Sequence, residues 1–255
     1  MLRYETTGAL ATITIDDPER RNPLSTEVMA RLLDAVREAS GEAWIRVIVI
    51  TGAGDRVFSA GGDLAGGFVD DPIGGHDARG ALADVFREIR LSPKPVIARV
   101  NGHALAGGFG LAAACDIVIA VDTATFGTPE VGVGLWPMMI GAILGRAMPP
   151  RVALEMMLTG RRLDAAEAVR LGLVSRAVPA DQLDAAVAEA VDGIVAASPA
   201  VIAMGKAAFY AVEGAPFDAA LDHLHIGLTA VAMTEDAAEG VAAFMAKRTP
   251  EWTGR

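Results

Sequence analysis

Three short apolar runs constrain the fold of this chain more than any other feature of its sequence. Residues 45–50, 96–100 and 117–121 are predominantly hydrophobic, and a predicted helix separates each run from the next. Strands that are buried on both faces carry this nearly unbroken pattern, which is typical of parallel sheets. The alternation of strands and helices therefore predicts an α/β fold.

Helical patterns fill much of the remaining sequence. Apolar residues recur every four positions after Ser25 or Thr26, either of which can cap a helix that ends at Gly41. Asp164 and Glu167 form a capping box, and Ser198 followed by proline is a strong helix start. Further helices are predicted over residues 81–90, 111–114, 151–158 and 164–171, with a mobile loop over 66–80.

The C-terminal part of the sequence is helical almost throughout. From residue 198 to 247 we find no strand pattern, whereas strands and helices alternate before it. We therefore predict an α/β core over residues 1–195 and a helical subdomain over residues 196–255. No internal repeat or long linker divides the two regions.

The composition limits the classes of function that the chain can serve. Its 255 residues are 52% hydrophobic and carry a formal net charge of −10, which argues against nucleic acid or an anionic membrane as partner. No signal peptide or membrane-spanning run is evident. The single cysteine, Cys115, excludes an intramolecular disulfide, and we predict a cytoplasmic protein.

Three familiar site motifs are weak or absent. Gly108 and Gly110 fit a dinucleotide-binding pattern, but they lie too far beyond the preceding strand for its tight turn. Ser59 lacks the glycine that a serine hydrolase places two residues earlier. No cysteine or carboxylate cluster supports His223 and His225 as a metal pair, so we predict neither a metal nor a redox cofactor.

Two glycine-bearing segments are the strongest sign of a site. Residues 58–64 and 101–110 each follow a strand-like run, so their backbone N–H groups could converge on a developing oxyanion. Glu130 lies in an otherwise apolar stretch, where partial desolvation would raise its pKa. Glycine pairs also serve close packing, and Glu130 alone could be a helix cap or a surface ion-pair partner. Taken together, the three features indicate enolate chemistry.

The sequence resembles the crotonase superfamily, also called the enoyl-CoA hydratase/isomerase family. This resemblance implies a spiral of ββα units, a helical C-terminal region that builds trimers or dimers of trimers, and an acyl-CoA ligand. The matching segments run along nearly the whole chain in order: residues 18–24, 58–64, 95–104, 115–117, 126–130, 158–161, 168–174 and 244–252.

The resemblance also implies roles for individual residues. The backbone N–H groups of Gly62 and Gly107 would hold the thioester oxygen, and Glu130 would transfer protons. Arg21, and Lys206 or Lys247, would contact a CoA phosphate. Apart from the resemblance, Met138 and Met139 fit either an adaptable pocket wall or the core. Coenzyme A itself would be part of the substrate. The residues implied in substrate binding are Arg21, Leu24, Ala60, Gly61, Asp63, Leu64, Gly110 and Trp136.

One position departs from the family pattern. Family hydratases generally use two glutamates, and Gly110 stands where the first of them is expected, whereas Glu130 matches the second. Hydration or dehydration ranks first because it is common in the family. Isomerisation of an enoyl-CoA double bond by Glu130 alone ranks close behind. A non-catalytic acyl-CoA binder is the third alternative.

Overall fold

The computed structural model describes residues 1–64, 73 and 75–255. Within these residues the strands form a six-stranded, a four-stranded and a two-stranded sheet. The strands are β1 (Leu2–Thr7), β2 (Leu10–Ile15), β3 (Pro23–Leu24), β4 (Val47–Gly52), β5 (Val57–Ser59), β6 (Gly61–Gly62), β7 (Val96–Val100), β8 (His103–Leu105), β9 (Ile117–Val121), β10 (Thr125–Gly127), β11 (Arg162–Asp164) and β12 (Arg176–Val178).

The six-stranded sheet contains the three apolar runs as neighbouring strands. Its order is β1-β2-β4-β7-β9-β12, and only the β1–β2 pair is antiparallel. Every residue of β4 is buried, as expected for a strand covered on both faces. The predicted parallel sheet is therefore confirmed.

Ten α-helices lie in the described part of the chain. Ser25 caps α1 by accepting from Val28 N, and Asp164 caps α6 by accepting from Glu167 N, as the capping patterns predict. The helices are α1 (Thr26–Gly41), α2 (His76–Leu91), α3 (Gly107–Ala114), α4 (Met138–Ala147), α5 (Pro150–Thr159), α6 (Ala165–Arg170), α7 (Leu183–Val195), α8 (Pro199–Ala211), α9 (Phe217–Ala232) and α10 (Glu235–Ala246).

A strand–strand–helix unit recurs along the core. Each of β4, β7 and β9 leads into a strand of the four-stranded sheet, whose order is β11-β10-β8-β5, and the chain then enters a helix. The units are β4-β5-α2, β7-β8-α3 and β9-β10-α4. This repetition confirms the predicted spiral of ββα units.

Two helices begin earlier than predicted. α2 begins at His76 rather than at residue 81, and α3 begins at Gly107 rather than at residue 111. Glycines made both starts resemble loops, together with Asp77 in α2, but tertiary packing outweighs these weak local preferences. Of the loop predicted over 66–80, residues 76–80 are helical, and residues 66–72 and 74 lie outside the described residues.

The C-terminal helices are joined to the core by a buried lysine. Lys206 Nζ on α8 lies 2.7 Å from Asp116 Oδ2 and donates to the carbonyl oxygens of Ile89 and Lys94. Its side chain is 9% exposed, so the prediction that Lys206 contacts a phosphate is wrong. These acceptors could not be predicted from the sequence, because all of them are distant from Lys206 along the chain.

Among the described residues, no single helix is both long and apolar enough to span a membrane. Residues 180–195 and 199–211 meet the length and composition criteria only as a pair of helices bent by 104°.

Candidate active site

The first glycine segment reaches the site as a short strand. β6 pairs in parallel with β3, which places Gly62 opposite Leu24. Gly61 has φ +91°, a backbone conformation that favours glycine. Ala60 N donates to Arg21 O over 3.0 Å, so residues on both sides of the turn are tied to the β3 segment.

The buried side chains of Ser59 and Asn22 hold this segment in place through hydrogen bonds. Ser59 Oγ donates to Asn22 O over 2.7 Å and accepts from Gly61 N over 3.1 Å. Asn22 in turn donates through Nδ2 to the carbonyl oxygens of Ala53 and Val57. Both side chains are fully buried, so these bonds fix the backbone of Gly61 without competition from water.

The second glycine segment presents the start of a helix. Gly107 is the first residue of α3, and the first N–H groups of a helix have no acceptor within it. The preceding residue, Ala106, has φ +50° and ψ −129°, which is strained for any residue other than glycine. Its N–H donates to Gly127 O over 2.9 Å, and this bond helps to hold the strained peptide.

The two segments meet at Gly61. A Cβ atom on Gly61 would lie 2.5 Å from the Ala106 Cβ and 2.8 Å from Gly107 N, so only glycine permits this approach. The backbones of the two glycine segments are therefore in close contact, and Gly62 and Gly107 both line the cavity described below. The backbone N–H at the start of α3 lies directly beside the end of the first segment.

A largely apolar cavity of about 550 Å³ opens beside the two segments. It is large enough for a small-molecule ligand. Its lining residues are Leu24, Met29, Ala60, Gly62, Leu64, His76, Arg79, Leu82, Ala106, Gly107, Pro129, Glu130, Val133, Leu135, Trp136, Pro137, Met138, Met139 and Ile140.

Glu130 is the one carboxylate among the described lining residues of this cavity. It lies on a short 3-10 helix, Pro129–Val133, and its Oε2 is buried with no hydrogen-bond partner in the described structure. Burial raises the pKa of Glu130 above its ordinary value, and a backbone hydrogen bond opposes this effect only in part. Such a carboxylate is suited to take a proton and to return it.

Comparison with known proteins decides the family. The sequence model of the enoyl-CoA hydratase/isomerase family matches residues 5–255. The chain belongs to this family. It is 38% identical over 254 residues to the rat mitochondrial enoyl-CoA hydratase domain-containing protein 3, covering 94% of this chain and 80% of the relative. It is also 35% identical over 256 residues to the carnitinyl-CoA dehydratase of Escherichia coli K12, covering 97% and 96% respectively.

Solved structures of the enoyl-CoA hydratase/isomerase family share the fold. An enoyl-CoA hydratase from Bacillus anthracis superposes with a TM-score of 0.95 at 30% identity, covering 100% of this chain and 99% of that one. The human enoyl Coenzyme A hydratase domain-containing protein 3 gives a TM-score of 0.94 at 34% identity, covering 98% and 99%. The predicted crotonase-type fold is confirmed by these similarities.

Most of the site residues predicted from the family resemblance line the cavity, and four do not. Gly61 does not line the cavity, but its backbone closely approaches Ala106 and Gly107, which do. Arg21 is exposed on a left-handed turn, and Asp63 forms an ion pair of 2.9 Å with Arg20. Gly110 is buried within α3, away from the cavity. The structure brings together Glu130, Gly62, Gly107, Leu24, Ala60, Leu64 and Trp136.

Sequence reasoning missed the helical form of one wall of the cavity in this family member. His76, Arg79 and Leu82 recur every third residue on α2 and all face the cavity. Their spacing is helical, but the predicted loop over 66–80 concealed it. Ile140 on α4 was also missed, because an apolar helix gives no sign of which face borders a ligand.

Proposed function

We propose that this enzyme isomerises the double bond of an enoyl-CoA through an enolate, with Glu130 as the sole proton-transfer group. The buried Oε2 of Glu130, which has no hydrogen-bond partner beside the apolar cavity, carries this proposal. A desolvated carboxylate would be a costly feature in a site that only packs apolar groups.

The proposed reaction begins with a 3-enoyl-CoA. The Glu130 carboxylate removes a proton from C2, and the electron pair moves onto the thioester oxygen. The N–H groups of Gly62 and Gly107 donate to that oxygen, an interaction that typically lowers such barriers by about 3 kcal/mol for each donor. Protonated Glu130 then delivers its proton to C4, and the double bond forms between C2 and C3.

The proposed isomerisation needs no electron acceptor and no metal. It moves one proton between two carbons of the same substrate, so its redox state is unchanged. We therefore propose that coenzyme A enters only as part of the substrate. Arg21 and Lys247, both exposed, are the proposed contacts for its phosphates.

Hydration of a 2-enoyl-CoA is the second candidate function. The names of relatives support it, since they include a carnitinyl-CoA dehydratase and a putative enoyl-CoA hydratase from Thermus thermophilus. In this reaction Glu130 would remove a proton from water as its oxygen bonds to C3, and would then protonate C2. Gly110 offers no side chain to orient that water.

One assay separates these candidates. Purified protein is given a 3-enoyl-CoA or crotonyl-CoA, and formation or loss of the conjugated thioester is followed by its absorbance. Isomerisation predicts rapid formation of the 2-enoyl product and slow loss of crotonyl-CoA. Rapid hydration without isomerisation would replace the proposal by the second candidate. Acyl-CoA binding in calorimetry without either turnover would indicate a binder.

We also propose that the helical C-terminal region assembles copies of this chain into a trimer or a dimer of trimers. Large apolar side chains are exposed on α9 and α10, among them Phe217, Ile226 and Phe244, at 72–81% exposure. Apolar surface of this kind is typical of interfaces. Light scattering during size-exclusion chromatography tests the proposal, and a monomer at micromolar concentration would refute it.

A further inference from the structure

Helix α2 relates the polar part of the cavity wall to one of the proposed oxyanion donors. Leu82 packs against Gly107, since a Cβ atom on Gly107 would lie 3.3 Å from Leu82 Cδ2. Arg79 and His76 line the same cavity closer to the start of α2. Because a helix rises about 1.5 Å per residue, their Cα atoms lie about 4.5 Å and about 9 Å along the axis from that of Leu82. A short acyl chain held at Gly107 can span this distance.

Arg79 brings a positive charge to the wall of a largely apolar cavity. Its side chain is half-buried, whereas His76 is exposed where the cavity wall meets solvent. A guanidinium keeps its charge throughout the physiological pH range, and losing part of its hydration is costly unless acceptors compensate for it. A few polar groups in an otherwise apolar pocket determine which ligands the pocket accepts. Arg79 is therefore a candidate for selecting the substrate.

A carboxylate is the ligand group that best matches Arg79. The planar guanidinium holds both oxygens of a carboxylate through parallel hydrogen bonds. Arg79 also interacts within the protein, but a guanidinium has more N–H donors than one bidentate carboxylate uses. His76, three residues earlier, is a neighbour on the helix surface, and its ring can donate a further hydrogen bond.

The phosphates of coenzyme A are too distant to be this ligand group. The pantetheine arm, which contains two amide groups, separates them from the thioester sulfur. Arg79, by contrast, is three residues along α2 from Leu82, the residue that packs against Gly107. With the thioester oxygen at Gly107, the acyl chain is the part of the substrate that can bring an anion to Arg79.

We propose that the preferred substrate is an enoyl-CoA whose acyl chain ends in a carboxylate, which Arg79 binds with the help of His76. This inference rests on the proposed function, because it takes the thioester oxygen to lie at Gly62 and Gly107. The substrate class is then the mono-CoA thioester of an unsaturated dicarboxylic acid. Its hydrocarbon part would contact the apolar lining, and its carboxylate would keep some contact with water beside the exposed His76.

The test compares two substrates that differ only at the end of the acyl chain. Hex-3-enoyl-CoA ends in a methyl group, and the mono-CoA thioester of hex-3-enedioic acid ends in a carboxylate. We expect the wild type to favour the dicarboxylic substrate about tenfold or more in kcat/KM. Arg79→Met should bring this preference to one or below. Arg79→Lys should keep part of it, because it retains the charge but loses the planar fork.

Arg87→Met is the matched control. Arg87 also lies on α2, pairs with Asp84 at 2.5 Å and does not line the cavity. Its substitution removes the same charge from the same helix and should leave the preference at the wild-type value. An equal fall in the Arg79→Met and Arg87→Met variants, or no preference in the wild type, would overturn the inference.

Calorimetry with saturated analogues measures binding without turnover. Hexanoyl-CoA, the mono-CoA thioester of adipic acid and free coenzyme A are titrated into the wild type and the Arg79→Met variant. The adipic thioester should lose about tenfold in affinity in the variant, much more than the other two ligands. Equal losses for all three ligands would place Arg79 against the coenzyme A moiety and contradict the inference.

The outcomes distinguish this inference from the proposed function. If the wild type isomerises both 3-enoyl substrates with equal kcat/KM, only the inference about Arg79 fails. If the wild type does not isomerise but prefers the adipic thioester in a way that depends on Arg79, the isomerisation is refuted and the substrate class is supported. If no acyl-CoA binds, both fail.

Discussion

Two carboxylates with buried oxygen atoms, Asp236 and Glu130, have opposite surroundings in this protein. Asp236, in the first turn of α10, is 1% exposed and accepts hydrogen bonds from Ser198 Oγ at 2.5 Å, Thr253 N at 2.7 Å and Gly254 N at 3.1 Å. Glu130 leaves its buried Oε2 without a partner beside the cavity. Both groups lose contact with water, but hydrogen bonds compensate Asp236 for that loss more than fully and Glu130 only in part.

The pKa values of the two acids are shifted in opposite directions. Burial tends to raise the pKa of Asp236, but the hydrogen bonds from Ser198, Thr253 and Gly254 outweigh it and lower the pKa. Burial raises the pKa of Glu130. The ionised form is therefore favoured at Asp236 and disfavoured at Glu130. The comparison teaches that one carboxylate stabilises the fold, whereas the other keeps an unmet capacity to accept a hydrogen bond or a proton.

The largest expected effect is on activity at Glu130. Glu130→Gln removes the proton-transfer group while preserving its shape, so we expect kcat/KM with a 3-enoyl-CoA to fall by about 10³-fold. The amide of the variant carries no charge at this desolvated position, whereas the wild-type carboxylate does. The melting temperature at pH 7 should therefore stay at the wild-type value or rise. Steady-state kinetics and thermal unfolding check both parts. Full turnover by this variant would show that Glu130 is not the proton carrier.

The next effect is on stability at Asp236. Asp236→Ala leaves several buried donors without their acceptor, so we expect the free energy of unfolding to fall by about 3 kcal/mol. Turnover per folded molecule should remain within a factor of two of the wild type, because Asp236 lies outside the cavity. Urea unfolding and active-site titration measure these quantities. A large loss of kcat in protein shown to be folded would contradict the assignment of a purely structural role to Asp236.

A substitution at Ser59 should lower both stability and activity, each by less than the Asp236 and Glu130 variants do. Ser59→Ala removes the bonds to Asn22 O and Gly61 N, which we expect to lower the free energy of unfolding by about 1–2 kcal/mol. Looser positioning of Gly61 and Gly62 should lower kcat more than it changes KM, since the oxyanion forms only during reaction. A purely structural role predicts the stability loss with unchanged kcat in the folded enzyme.

The smallest expected effects are changes in folding stability with pH. Asp236 has a lowered folded-state pKa, so its contribution to stability is present above the unfolded value of about 3.9 and disappears as pH falls through the folded pKa. Glu130 has a raised pKa, so wild-type stability relative to Glu130→Gln should fall as pH rises from about 4.3 through the folded pKa.

The activity of the wild type should also reflect the raised pKa of Glu130. The reaction begins with the carboxylate, so kcat/KM should decline on the acid side at a pH above the ordinary glutamate pKa of about 4.3. Unfolding curves and kinetics across pH 3–8 test these signs. The same pH dependence for Glu130→Gln and Asp236→Asn would remove the contrast between the two acids.

Local patterns were sufficient to predict much of the fold. The apolar runs became the neighbouring strands β4, β7 and β9, because a strand without polar residues must be covered on both faces. The caps at Ser25 and Asp164 were predictable because capping is decided within four residues of the chain. The desolvation of Glu130 followed from the apolar residues around it.

Contacts between distant segments could not be predicted in this way. The ion pair of Lys206 with Asp116 joins residues far apart in sequence, and neither neighbourhood indicates it. The packing of Phe86 and Ile140 against Gly110 depends on how α2, α3 and α4 meet, which periodicity does not specify. The strain at Ala106 is likewise invisible in the sequence, because alanine rarely adopts a positive φ.

The most direct test of Glu130 as the sole proton carrier follows the hydrogen atom that leaves C2 of the substrate. A 3-enoyl-CoA carrying deuterium at C2 is converted in ordinary water, and NMR and mass spectrometry locate the label in the 2-enoyl product. If Glu130 alone carries the proton within an apolar cavity, part of the deuterium should reach C4, and Glu130→Gln should form almost no product. Complete exchange with solvent of the deuterium removed from C2, leaving none at C4, together with wild-type turnover by Glu130→Gln, would contradict the account.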